Sequence, residues 1–181
     1  MQKLSLFETP LWITQLDLNI EELKKSVLEF SKTSPCMDRS NNGGYQGHGF
    51  VDETLFSEIK KNIPIVDDNP IEDFDIFSWV NINSKNHSNH RHCHLDTNIF
   101  LSGVYYISVP ENSGYIRFYD PRGHLIRYYK DSAYYYGGFS YQYVTPEPNM
   151  ILLFPSWLEH DVETNDSEED RISIAFNIFN K

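Results

Sequence analysis

Three kinds of side chain in this sequence are spaced so that they could do chemistry together. His94 and Asp96 stand two residues apart, His160 follows far downstream, and Arg171 and Ser173 come shortly after it. Two imidazoles and one carboxylate can hold a non-haem metal such as Fe(II) on one face and leave adjacent positions open. A distant arginine adds a planar, bidentate partner for a carboxylate-bearing co-substrate. Spacing alone leaves the register open. His90, His92 and His94 fall on one side of an extended strand, and so do His94 and Asp96. The stretch 86–92 also reads as a plain polar loop rich in Asn and His.

These groups must be positioned by the elements around them. Leu4 to Ile13 is apolar enough for a strand, which Pro10 confines to an edge or a bend. Asn19 is an N-cap with Glu22 at the third helical position, and Ile20, Leu23, Val27 and Phe30 recur at helical spacing, predicting a helix over about 20–32. Residues 40–49 read as a glycine-rich loop without phosphate-binding spacing, and a second helix is predicted over 53–61, with Leu55, Phe56 and Ile59 inward. From Asp75 the period becomes two. Ile76, Ser78, Val80 and Ile82 share one side, and Phe77, Trp79, Asn81 and Asn83 the other. Strands follow at 100–109, 115–119, 150–154, 159–163 and 171–179, the first two read as a hairpin through 110–114. The segment 120–141, rich in tyrosine, reads as a long loop or lid over substrate, with Tyr134, Tyr135, Tyr136, Phe139 and Tyr141 as contact surface.

The last two strands read as another hairpin. Pairing about a centre between Asn165 and Asp166 sets His160 opposite Arg171, with Arg171, Ser173 and Ala175 on one face. Ile172, Ile174, Phe176 and Ile178 form the apolar other face. Many strands after a helical opening, without βαβ alternation, give a mainly β fold: an antiparallel sandwich or barrel with helices on one face. At 181 residues the chain is read as one domain, 1–181, with a helical part over about 1–72 and a β core over about 74–180.

A net charge of −11 argues against a nucleic-acid partner. Two separated cysteines give no disulfide framework, and no apolar run approaches a membrane span. The sequence-based expectation is a cytoplasmic protein. Aromatic residues make up 15% of the chain, with 12 Tyr and 12 Phe, which suits strands and half-wet surfaces.

Taken together, Leu6 to Pro10, Ser102-Gly103-Val104-Tyr105-Tyr106, Phe154 to His160 and Arg171 to Asn177 resemble the 2-oxoglutarate- and Fe(II)-dependent oxygenases. Within that superfamily the chain is similar to a group of small oxygenases of phages and bacteria. The resemblance implies a double-stranded β-helix (jelly roll, cupin-like) with the N-terminal helices packed on one face. It implies Fe(II), 2-oxoglutarate and O2 as cofactor and co-substrates, and a hydroxylase releasing succinate and CO2. Counted back from Ser102, the group's HxH element falls on His94 and Asp96, so the resemblance implies His94, Asp96 and His160 as metal ligands. It implies Arg171 and Ser173 as holders of 2-oxoglutarate, with Tyr106 as a candidate second donor. A small molecule or peptide is the implied substrate, a homodimer is compatible, and the cytoplasm would be the host's if the chain is viral. Two other readings stand beside this one. One is a cupin-like metalloenzyme using another histidine pair with His160 and no 2-oxoglutarate; the other is a non-catalytic jelly-roll binding module.

Overall fold

The computed structural model describes residues 8–64, 73–96, 98–122 and 141–181. The elements are, in chain order, β1 (Trp12–Gln15), α1 (Ile20–Thr33), β2 (Asn41–Asn42), β3 (Tyr45–His48) and α2 (Glu53–Lys61). They continue with β4 (Phe74–Asn83), β5 (Ser88–His92), β6 (Ile99–Ser108), β7 (Ile116–Tyr119), β8 (Tyr141–Val144), β9 (Met150–Pro155), β10 (His160–Val162) and β11 (Arg171–Asn180). Leu6 and Phe7 lie outside the described residues, as do Tyr134, Tyr135, Tyr136 and Phe139 of the tyrosine-rich segment.

The strands form two antiparallel sheets, β1-β9-β6-β11-β4-β3 and β2-β5-β10-β7-β8. From β4 to β7 and again from β8 to β11, successive strands alternate between the two sheets, and this alternation gives the jelly roll. Its consequence is that neither predicted hairpin exists. Strand β6 lies between β9 and β11, whereas β7 pairs with β10 and β8. Likewise β10 pairs with β5 and β7, and β11 with β4 and β6.

The chain between β10 and β11 shows why a tight turn does not form there. Asn165 is fully buried and donates from Nδ2 to the carbonyls of Asn83 (2.8 Å) and Glu169 (2.8 Å). Its backbone N–H donates to His87 O (2.9 Å), and its carbonyl accepts from Asn86 N (2.8 Å). Asn165 thus ties this connection to the neighbouring crossover at Asn83, Asn86 and His87 as well as to Glu169 within it, so the chain crosses the sandwich.

Local signals elsewhere hold. Asn19 caps α1 by accepting from Glu22 N, and Asp52 caps α2 by accepting from Leu55 N. The helices bury Leu23, Val27, Leu55 and Ile59 in the same apolar cluster as Tyr105, Ile151, Ile174, Phe176 and Ile178 of the six-stranded sheet. Each fully buried aliphatic side chain there contributes about 1.5–3 kcal/mol. A second cluster, with Val104, Tyr106, Ile116, Phe118, Leu152 and Phe154, fills the space between the sheets. β1 starts just beyond Pro10 and is an edge strand against β9. The stretch read as a glycine-rich loop instead carries β2 and β3, one in each sheet, joined by Gly43 (φ 70°) and Gly44 (φ 64°). A Cβ at Gly43 would stand 2.3 Å from the His87 ring, so this step between sheets needs glycine.

Candidate active site

Strand pairing brings the first two imidazoles together. His160 opens β10 directly opposite His92, the last residue of β5. His94 follows two residues later, its backbone N–H held by Ser156 O at 2.9 Å in the turn that leads into β10. The ring centroids lie 4.4 Å (His92–His160), 5.0 Å (His92–His94) and 5.3 Å (His94–His160) apart. One potential ligand atom from each of the three falls within 4.8 Å of the others, the spacing of a metal site.

Two of the rings are set in one tautomer. His92 Nδ1 donates to His90 O (2.7 Å), and His160 Nδ1 donates to Leu158 O (2.9 Å). Each Nε2 is thereby left as an unprotonated lone-pair donor, the form a metal requires. Burial holds all three rings neutral, helped by their mutual repulsion when charged. His94 is pushed down to about 4 and His160 to about 3, and His92 is also lowered.

That depression has a consequence for the metal-free protein. Unfolding frees the imidazoles to take up protons near pH 6.5, whereas the folded site resists them until about pH 4. The cluster's contribution to stability is therefore full above pH 6.5 and is lost as the pH drops through the window from 6.5 to about 3. Thermal unfolding of the metal-free protein should show this loss, and His94→Gln should flatten the slope.

The expected residues are not all in this set. His94 and His160 are in it, whereas Asp96 is exposed on the segment after β5 and lies outside the cluster, its carbonyl accepting from Ile99 N at 3.2 Å. His92, read as one of the open alternatives, takes the third position. His90 is exposed and contributes its carbonyl to the His92 ring. Sequence spacing had no means of choosing among 92, 94 and 96. All three share one parity, and only the end of β5 decides which imidazoles face β10.

Arg171 and His160 come from different sheets and not from one hairpin. They line one internal cavity together with His92, His94, Tyr106 and Ser173. The alternation predicted for β11 is present, with Arg171, Ser173 and Ala175 on this cavity and Ile172, Ile174, Phe176 and Ile178 in the other cluster. Arg171 is only 2% exposed, and its Nε and Nη2 have no hydrogen-bond partner among the described residues. Burial lowers its pKa, with Tyr106 acting the other way. Tyr106 is fully buried, with Arg171 Cζ 5.2 Å from its ring centre. Its Oη is also unpaired among the described residues, and burial pushes its pKa up to about 12. A buried guanidinium without a carboxylate partner is costly, so this cavity suits a bound carboxylate. The free space is about 40 Å³, little more than one water's share, so a larger anion must shift side chains as it enters. A wider concavity of about 960 Å³ lies around Arg117 and Asp161. There the charges pair with one another, at 2.7 and 2.8 Å, which leaves Arg117 no comparable demand for an anion.

Comparison with curated proteins gives no match. Among solved structures, a prolyl-4-hydroxylase from Pseudomonas putida has a TM-score of 0.66 at 13% identity, over 96% of this chain and 94% of that one. HygX from Streptomyces hygroscopicus, with nickel and 2-oxoglutarate bound, has a TM-score of 0.66 at 14% identity, over 96% and 84%. The viral collagen prolyl hydroxylase vCPH from Paramecium Bursaria Chlorella virus-1 has a TM-score of 0.62 at 11% identity, over 94% and 96%. At such identities these likenesses establish the fold. A family profile described as "Putative 2OG-Fe(II) oxygenase" matches residues 77–177, a span that starts in β4, ends in β11 and takes in the histidine cluster, Arg171 and Ser173. With more than half of the sequence matched, the chain belongs to this family of 2-oxoglutarate- and Fe(II)-dependent oxygenases.

Proposed function

We propose that the protein hydroxylates a peptide or small-molecule substrate, with Fe(II) held by His92, His94 and His160 and with 2-oxoglutarate held at its far carboxylate by Arg171. The observation that carries this reading is the buried Arg171 guanidinium, its Nε and Nη2 without a hydrogen-bond partner among the described residues, in the same cavity as three neutral imidazoles. The donor set fits the metal, since imidazoles are common ligands of Fe(II). When bound, Fe(II) supplies O2 activation coupled to decarboxylation of 2-oxoglutarate to succinate and CO2.

The chain's own residues bind and orient the co-substrate. Arg171 offers two donors, Nε and Nη2, that are unpaired among the described residues, and Ser173, directly across from Tyr106 in the sheet, adds a hydroxyl. Tyr106 Oη is a further donor, and its raised pKa keeps it protonated at neutral pH. Three neutral ligands leave the metal's full double charge for the co-substrate to neutralise, where a carboxylate ligand would have cancelled part of it. Phe118, tilted at 6.1 Å, and Phe154, edge-on at 4.8 Å, pack against the His160 ring and give it an apolar inner side.

A cupin-like reaction without 2-oxoglutarate would use the same three histidines but would leave Arg171 buried without a counter-charge. Incubation with Fe(II), 2-oxoglutarate and pools of candidate substrates separates the two. Formation of succinate together with a product heavier by one oxygen atom is expected, and substrate oxidation that proceeds equally without 2-oxoglutarate would contradict the reading.

A further inference from the structure

A groove of about 500 Å³ opens beside the histidine cluster, lined by residues of β3, β4 and β5, by Asn177 of β11 and by the stretch before β2, where Asp38 and Arg39 stand at its rim with Arg91 of β5. His92 and His94 line both this groove and the cavity of Arg171, so a molecule lying in the groove reaches the metal ligands. One wall is aromatic. Phe77 and Trp79 have centroids 6.3 Å apart, His48 meets Phe77 edge-on at 5.6 Å, and Trp79 lies 5.5 Å from the His94 ring. Phe77 is exposed despite its apolar ring.

Gln46, on the edge strand β3, also lines this groove and is only 3% exposed. Its Oε1 is buried without a partner among the described residues, and its Nε2 has only a 3.5 Å contact with His48 Nε2. The sheet register runs from Gln46 to Asn81, then Ser173, then Tyr106, and Asn81 Oδ1 is unpaired as well. A polar row thus extends from the co-substrate cavity to the groove. 2-Oxoglutarate is a dianion with acceptors and no donors, so it satisfies the Arg171 end of this row and not the carbonyl oxygen of Gln46. A buried acceptor left unpaired is costly and calls for a donor from elsewhere.

We propose that the groove receives the substrate and that Gln46 is its specificity-determining residue. Its Oε1 accepts a hydrogen bond from the amide N–H of a neutral, amide-bearing substrate whose apolar part rests on Phe77 and Trp79. This rests on the oxygenase reading above and adds the substrate class. A carboxamide presents an acceptor and a donor side by side, the complement of an amide, whereas a carboxylate would face Oε1 with a second acceptor. Asn177, the other carboxamide lining the groove, is already engaged, accepting from Ser102 at 2.8 Å.

The test uses the Fe(II)-loaded full chain with 2-oxoglutarate and a pool of short peptides capped at both ends, beside a pool of neutral monosaccharides. Oxidation of a capped peptide is expected. Replacing its recognised amide by an ester, which removes only the N–H, should raise KM about ten-fold, and Gln46→Met should raise it by a similar factor. The Met variant should show no further loss with the ester, because both changes delete one hydrogen bond. If the Met variant does not fold, the ester comparison on the parent protein decides alone. Equal KM for amide and ester overturns the proposal, as does oxidation confined to the sugars. Consumption of 2-oxoglutarate without oxidation of any capped peptide overturns it while leaving the oxygenase reading intact. Failure to consume 2-oxoglutarate at all overturns both.

Discussion

Replacing Arg171 by Met is expected to raise the melting temperature of the ligand-free protein while weakening 2-oxoglutarate binding about thirty-fold or more. Both effects follow from one circumstance. The guanidinium is held in the interior with Nε and Nη2 unpaired among the described residues, so the folded protein bears its desolvation with only the Tyr106 ring and hydroxyl to offset it. Met keeps much of the length and polarisable bulk and removes the charge. Exchanging a buried charge for a well-packed apolar side chain gains up to about 1–4 kcal/mol, and each kcal/mol moves the midpoint of a domain this size by about 2–4 °C. The same exchange deletes a charge-assisted, bidentate contact to the co-substrate, which accounts for about 2–5 kcal/mol of binding. Thermal unfolding and a 2-oxoglutarate titration, each on both proteins, check the two halves. A lower midpoint with unaltered co-substrate affinity would mean that Arg171 is a structural residue. The opposition between stability and binding is what a site kept strained for function produces.

Removing any one imidazole of the cluster should have the larger effect on turnover. Loss of an outer hydrogen-bond partner of a metal ligand costs about 10–100-fold in metal affinity or activity, so loss of a ligand itself should exceed about 100-fold. His92→Ala and His160→Ala are therefore expected to abolish saturable Fe(II) binding and succinate formation. Neither change should unfold the protein. His92 ends a strand at partial exposure, and the apolar clusters are built from other side chains. A variant that lost activity while keeping full Fe(II) affinity would point to a role in substrate contact instead.

Much of this architecture is local and was readable residue by residue. The Asn19 cap, the second helix at 53–61, and the alternation of Ile172, Ile174, Phe176 and Ile178 against Arg171, Ser173 and Ala175 all depend on neighbours within a few positions. What could not be read is which strands pair. A polar connection such as 163–170 serves equally as a turn or as a crossing, and only the burial of Asn165, bonded to Asn83, Glu169, His87 and Asn86, selects the crossing. That is why the expected hairpin does not form although His160 and Arg171 line one cavity, each from its own sheet. The histidine cluster shows the same boundary. A period of two is blind to a shift of two, so His92 with His94 and His94 with Asp96 are equivalent in pattern, and only the pairing of β5 with β10 separates them. Gln46 was hidden for another reason. It sits in a stretch whose glycines read as a loop, although Gly43 and Gly44 in fact step the chain between sheets and make Tyr45–His48 a strand.

The most direct check of the metal centre is an anaerobic Fe(II) titration of the parent protein, His92→Ala and Asp96→Ala, followed through the visible band that appears when 2-oxoglutarate is added. With His92, His94 and His160 as ligands, Asp96→Ala should retain a saturable site and the band, while His92→Ala should lose both. Loss of the site in Asp96→Ala with retention in His92→Ala would contradict the three-histidine centre.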